Sequence, residues 1–237
     1  MMYNIRFFLI LICFCVTSNV WAAVPKKPAQ ESDQQINDFS LSGYGERGVK
    51  TWDLAGKSAD IFDDVIKLKN ITGNMFGDKE NVRLTADQGD FNKAQGKVHL
   101  EKNVVITTTS GAKLMTDSLD WDRQKQLVTT LDKVHITRES MVTTATGAKG
   151  EPGLNKMTLE KDVVVTIQPP PKGEVKKTGF PSLEQAITIT CDDSMEVDYR
   201  NNIARFHTNV KADKGDSVIF CDALELYFSK DPNKEDA

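Results

Sequence analysis

Along most of the chain apolar and polar residues alternate at a spacing of two: Val98 and Leu100, Val104 and Ile106, Met157 and Leu159, Val163, Val165 and Ile167, Ala204 and Phe206, Val210 and Ala212. Period two belongs to strands with one buried face, and no stretch beyond Ile36–Tyr44 sustains the 3.6-residue spacing of an amphipathic helix. The residues are β-branched and rich in Thr, as strands prefer. The pattern therefore predicts an all-β protein. In Leu114–Trp121 (LMTDSLDW) the apolar phase passes through Leu114 and Thr116 and resumes at Leu119 and Trp121, one residue out of step just after Asp117. Similar slips fall between Leu100 and Val104 and between Leu131 and Val134. A slip at one place in successive strands marks a bulge or bend, because one extra residue re-aims every side chain after it.

Bent antiparallel strands laid side by side give two facing sheets joined along the bend, with a cleft between them. One apolar set lines the cleft: Leu84, Leu100, Val104, Ile106, Leu114, Leu119, Val134, Ile136, Leu159, Val163, Val165, Ile189, Val197, Phe206, Val210 and Leu224. A sandwich with a permanently filled core produces the same alternation. Open cleft and solid core both stand on the pattern alone.

Repetition gives the size of the unit. A small residue followed by Asp occurs at Ala59-Asp60, Ala86-Asp87, Thr116-Asp117, Cys191-Asp192 and Cys221-Asp222, with the acids 27, 30, 75 and 30 residues apart, and a weaker copy, Ala148-Lys149, falls in the long gap. A polar residue followed by Val or Ile recurs at Asn70-Ile71, Asn103-Val104, Lys133-Val134, Asp162-Val163 and Asn209-Val210. The unit is near 30 residues and holds two strands, since turn residues close both ends: Asn92–Gly96, Asp122–Lys125, Gly153–Asn155 and Arg200–Asn202 on one side, Thr109–Gly111, Arg138–Ser140 and Asp213–Asp216 on the other. Reversals this short join antiparallel neighbours. The acids of the first mark suit capping of backbone N–H groups at the bends.

The ends of the chain read differently. A single cation in Met1–Arg6, the apolar run Phe7–Val16 and the small residues ending Thr17–Ala23 form the three-part layout of a secretory signal, cleaved after Ala22 or Ala23, or else a retained membrane anchor. The apolar run is ten residues, about half of the ~20 a spanning helix needs. Neither Cys13 nor Cys15 follows a small residue, which argues against lipoprotein processing. This gives residues 1–22 as signal or anchor, 23–35 as a polar tether, 36–167 as the main β-unit, 168–186 as a proline-rich insert and 187–229 as a further β-unit continuing the stack. Residues 230–237 form a frayed tail. In an oxidising compartment Cys191 and Cys221 are free to pair. Their equivalent positions in the repeat put one strand between them, about 9–10 Å at the backbone, against the ~7 Å a disulfide tolerates; a bridge and two small buried thiols are both open.

Composition excludes more than it assigns. The 237 residues carry 30 Lys plus Arg against 34 Asp plus Glu, a net charge of −4, so there is no global basic excess to hold nucleic acid. Three His and no dense acidic cluster leave little for a metal centre; no metal, cofactor or catalytic residue is expected. The adjacent acids Asp63-Asp64 and Asp192-Asp193 are the pairs a carbohydrate-cleaving enzyme would use, and both sit where a solvated acid at a bend is expected.

The stretch Gly48–Ala59 (GVKTWDLAGKSA), followed by Leu84–Gly89 (LTADQG), Asn103–Ile106 (NVVI) and Leu114–Leu119 (LMTDSL), resembles the periplasmic lipopolysaccharide-export proteins of the LptC and LptA/OstA type. The likeness spans about Tyr44 to Ile167, and Ile187–Phe228 looks like a further OstA-type unit. It implies an antiparallel β-jellyroll open along one side, whose apolar groove, lined by the residues named above, shields the acyl chains of lipopolysaccharide. It also implies end-to-end joining with other jellyroll proteins of the export bridge and with an inner-membrane transporter. The alternative is a structural or adhesin-like β-solenoid with a solid core.

Overall fold

The computed structural model describes residues 33–45, 48–78, 80–169 and 185–228. The expected signal segment, all but three residues of the tether, most of the proline-rich insert and the C-terminal tail lie outside the described residues. The strands are β1 (Gln34–Tyr44), β2 (Lys50–Phe62), β3 (Val65–Phe76), β4 (Asn81–Asn92), β5 (Lys97–Thr108), β6 (Lys113–Asp122) and β7 (Leu127–Arg138). There follow β8 (Met141–Gly150), β9 (Lys156–Ile167), β10 (Ile187–Cys191), β11 (Met195–Asp198), β12 (Ile203–Lys214) and β13 (Ser217–Tyr227). All thirteen belong to one antiparallel sheet in chain order, except that β10 and β11 share the place between β9 and β12. The fold is the all-β, jellyroll-like meander that period two predicts. Ile167 pairs with Ile187, so the insert leaves and rejoins the sheet between neighbouring strands, and the last strands extend the same sheet.

The long strands are broken near their middles. Register shifts fall between Thr85 and Gln88, Glu101 and Val104, Met115 and Asp120, Thr130 and Lys133, Thr144 and Thr146, and His207 and Val210. Left-handed φ values recur in the same column, at Asp38, Asn70, Lys102, Asn103, Gly147, Asp162, Thr208 and Asn209. Asn and Asp enter this region at least cost among residues with a Cβ. Bulges here fold the sheet on itself along a spine, giving two leaflets. Leaflet A ends in the turns after β2, β4, β6, β8 and β11; leaflet B ends in the turns after β1, β3, β5, β7 and β12.

The two repeated sequence marks meet at this spine. Asn103 Nδ2 donates to Asp87 Oδ2 at 2.6 Å and Asn209 Nδ2 to Asp192 Oδ2 at 2.8 Å, so the Asn of one mark caps the acid of the other on the neighbouring strand. Ser118 Oγ donates to Asp132 Oδ2 at 2.6 Å in the same column. One copy of the small-Asp mark misses the bend. In β2 the residues without a partner on β3 are Gly56 and Lys57, so Ala59-Asp60 lies beyond it; in β8 Gly147, at φ 79°, stands at the bend just before the weaker copy Ala148-Lys149. Glycine serves at Gly56 because a Cβ there would stand 2.7 Å from the Phe39 ring.

Candidate functional site

Strand register assembles the predicted cleft residues into continuous rows on the inner face. On leaflet A, Leu100 stands opposite Leu119, and Leu159, Met195, Phe206 and Leu224 form one cross-strand row. Val197 lies between Met157 and Ala204 in the next row. On leaflet B, Leu84, Ile106, Leu114, Ile136, Thr143, Val165 and Ile189 form a single row. Val104, Val134, Val163 and Val210 line the spine, each directly after the polar residue of the second mark. All sixteen predicted residues thus share one interior. All but Leu84 and Leu224 are buried, and those two pack against the buried set. In this conformation the leaflets are in contact and the side chains cover one another.

The rows do not stop at the sheet edges. Ile36 and Leu41 carry them onto β1, opposite Ala59 and Leu54, and are 46% and 54% exposed. Ile219 carries the leaflet B row onto β13, opposite Ala212, and is 59% exposed. The apolar interior is therefore uncovered at both ends of the stack. Among the described residues β1 and β13 each pair on one side only, which leaves a row of backbone donors and acceptors open at each end.

Opposite the spine, the strand tips of the two leaflets meet along a seam that the sequence pattern gave no sign of. Asn155, in the turn after β8, donates from Nδ2 to Glu80 Oε2 at 2.5 Å across the seam, and Glu80 also accepts from Ser110 Oγ. Leu154 in the same leaflet A turn is fully buried at φ 56°. The Arg138 guanidinium, at the leaflet B end of β7, lies over the Tyr199 ring at 3.9 Å, and Tyr199 leaves the leaflet A end of β11. Phe228 stacks on Tyr199 at 5.4 Å in a tilted geometry. Burial pushes the Tyr199 hydroxyl pKa up. On the leaflet A side Arg200 holds Glu151 through two contacts of 3.1 and 2.6 Å, which fixes the turn that carries Leu154 and Asn155.

The remaining candidates separate cleanly. Cys221 stands opposite Val210 on one side of β12, Cys191 follows the last β10–β12 pair, Thr190 with Lys211, on the other side, and both are free: the strand between them keeps their backbones too far apart to bridge. Burial pushes the Cys191 thiol pKa up, and its Sγ lies 3.4 Å from the Asp193 carbonyl oxygen. Asp63-Asp64 occupies the turn after β2 while Asp192-Asp193 lies at the spine between β10 and β11, so the two acid pairs share no site. Two surface depressions of about 460 and 700 Å³ follow the spine; Asp87 and Asp117 line the smaller, and Asp117, Lys133 and Asp162 stand beside Val105 and Met115 in the larger. Among the described residues no group of His, Cys, Asp or Glu is arranged to hold a metal ion, and no helix is long and apolar enough to cross a membrane.

The folded meander thus has an apolar interior that is uncovered at both ends and closed along one seam. Residues 7–168 match the family model described as lipopolysaccharide-assembly, LptC-related, and the chain belongs to that family. No curated protein matches it. Membership places the chain in lipopolysaccharide transport, in a family of transport proteins that face the periplasm. The match begins within the apolar run at Phe7 and ends just after β9, so β10–β13 lie beyond it.

Proposed function

We propose that the protein carries the acyl chains of lipopolysaccharide between its two leaflets and passes the lipid along an end-to-end bridge from an inner-membrane transporter toward the outer membrane. The observation that carries this reading is the continuation of the inner apolar rows to Ile36, Leu41 and Ile219 at the two edges. A lipid leaving one module there would meet another apolar interior rather than water. Each CH₂ kept from water is worth about 0.8 kcal/mol, so an acyl chain does not cross an aqueous gap unaided. Parting the leaflets exposes side chains, but an acyl chain inserted between them covers the same apolar surface, and exchanging one for the other is close to balanced. The strand pairs need not break, because the leaflets share backbone only at the spine and meet elsewhere through side chains. The free edges of β1 and β13 suit strand addition by neighbouring jellyrolls. The sixteen predicted side chains are the groove lining in this reading, and the N-terminal segment delivers the chain to the periplasm as a cleaved signal or holds it at the inner membrane.

The test is photo-crosslinking in a lipopolysaccharide-making host, with the reactive amino acid placed at Leu119, at Ile219 and, as an outward control, at Leu131, which is 84% exposed. Lipid adducts at Leu119 and Ile219 without one at Leu131 are expected. Silence at both inner positions overturns the reading. A second reading, a structural module with a permanent core, draws on the full burial of Phe206, Val104 and Val165. It predicts that Leu119→Asp unfolds the protein, whereas a groove residue loses lipid and keeps its fold.

A further inference from the structure

We propose that Arg138 is a headgroup-binding residue, taking a phosphate of the carried lipid at the seam where the strand tips of the two leaflets meet. The inference rests on the transport reading above and adds to it the place where the polar end of the lipid is held. Arg138 is the last residue of β7, at the leaflet B tip, and its guanidinium covers the face of Tyr199 from the leaflet A tip at 3.9 Å. A ring under the guanidinium face uses none of its in-plane N–H groups. Nη1 is buried and has no hydrogen-bond partner, and among the described residues Arg138 has no ion-pair partner. A buried donor on a fixed cation, left unpaired, is costly. The acid of the opposite tip, Glu151, is held by both terminal nitrogens of Arg200; Glu139, next in the chain, is exposed and faces the Tyr199 hydroxyl without pairing with Arg138. What the site lacks is an anion with two or more oxygens in a plane with the fork, and phosphate has that geometry. Its position at the seam fits the same molecule: hydrocarbon lies between the leaflets and the charged end stays at the mouth. The platform is supplied by Tyr199, backed by Phe228, both from the segment beyond the family match, so the C-terminal strands complete a site that the matched part only begins.

The experiment uses the full exported protein, lipopolysaccharide and the same lipid stripped of its phosphates, with capture measured by fluorescence. Wild type is expected to hold the phosphorylated form roughly tenfold tighter, the size of a charge-assisted pair. Arg138→Gln should bind both forms as wild type binds the stripped one, and Arg138→Lys, which keeps charge without the fork, should retain part of the preference. Circular dichroism melting checks that the variants fold, and the preference of the wild type tests the assignment without any variant. Persistence of the preference in Arg138→Gln overturns the assignment, as does an equal loss for both lipids. Inorganic phosphate alone is expected to give no binding heat; a saturable heat that Arg138→Gln removes makes this a site for the free ion and also overturns it. Tight wild-type binding without preference sinks the assignment alone, whereas binding of neither lipid sinks the transport reading along with it.

Discussion

A threonine at φ 65° is strained, because the branched Cβ crowds the backbone in the left-handed region, and Thr208 holds that conformation at the spine of β12. Its carbonyl accepts from the Asp192 N–H at 3.1 Å, so the bend is held in place by the neighbouring strand. Thr208→Gly removes a Cβ penalty of about 1–2 kcal/mol and adds unfolded-state freedom worth about 0.5–1 kcal/mol. The net expectation is a stability gain of up to ~1 kcal/mol, read as a higher urea midpoint at unchanged slope. Asn209→Gly, one residue on, should go the other way, because it deletes the hydrogen bond to Asp192. A second residue-scale prediction concerns His99 on the outer face of leaflet A. Asp120 accepts from or pairs with Nδ1 at 2.7 Å, and Glu101 lies 3.1 Å from Nε2; the two acids raise the imidazole above the ordinary value of about 6.5, Asp120 most. A raised folded pKa stabilises the fold fully below the unfolded value, and the contribution is lost as pH rises through the folded one. NMR titration should therefore place His99 above 6.5 in the wild type and lower in Asp120→Asn, and the stability difference between the two should vanish in alkali.

At the scale of the strand, the bends were legible because a bulge leaves a trace in side-chain phase: Leu114, Thr116, Leu119 and Trp121 register the slip in β6 directly. Where the bend falls on glycine the trace disappears, since Gly56 and Gly147 have no side chain to be in or out of phase. The break of one strand into β10 and β11 at Asp192–Ser194 was hidden for a related reason, as the residues on both sides keep the alternation. The cysteine geometry followed from the repeat alone, because equivalent positions in adjacent two-strand units must have one strand between them. It carries a prediction: a thiol reagent on the native protein should label the half-exposed Cys221 and spare Cys191, which reacts only on unfolding. Non-reducing peptide mapping after export should find no Cys191–Cys221 bridge; its presence would mean that β12 does not lie between them.

For the molecule as a whole, the seam is the feature that periodicity cannot reach. Which tips meet across it depends on how the twist of two leaflets brings β3–β4 over β8–β9, and so Glu80 and Asn155 come together from 75 positions apart. The contacts there are few and polar or aromatic, whereas the spine opposite is continuous covalent backbone. A folded sheet of this kind opens at the side held by side chains and hinges at the side held by peptide bonds. Of the bonds to Glu80 the one from Asn155 crosses the seam, and as a bond to a carboxylate it is worth about 1.5–3 kcal/mol net, small enough for thermal parting of the tips and large enough to help keep the interior covered when empty. Locking them should then stop loading without touching the fold. With Cys191 and Cys221 replaced by Ala, a protein carrying Glu80→Cys and Asn155→Cys is treated with a short bismaleimide. The crosslinked form is expected to melt higher and to capture no lipopolysaccharide, while the unlinked double variant captures it normally. Undiminished capture by the linked form would mean that the lipid comes in through the uncovered ends at β1 and β13, with the seam serving only as a wall.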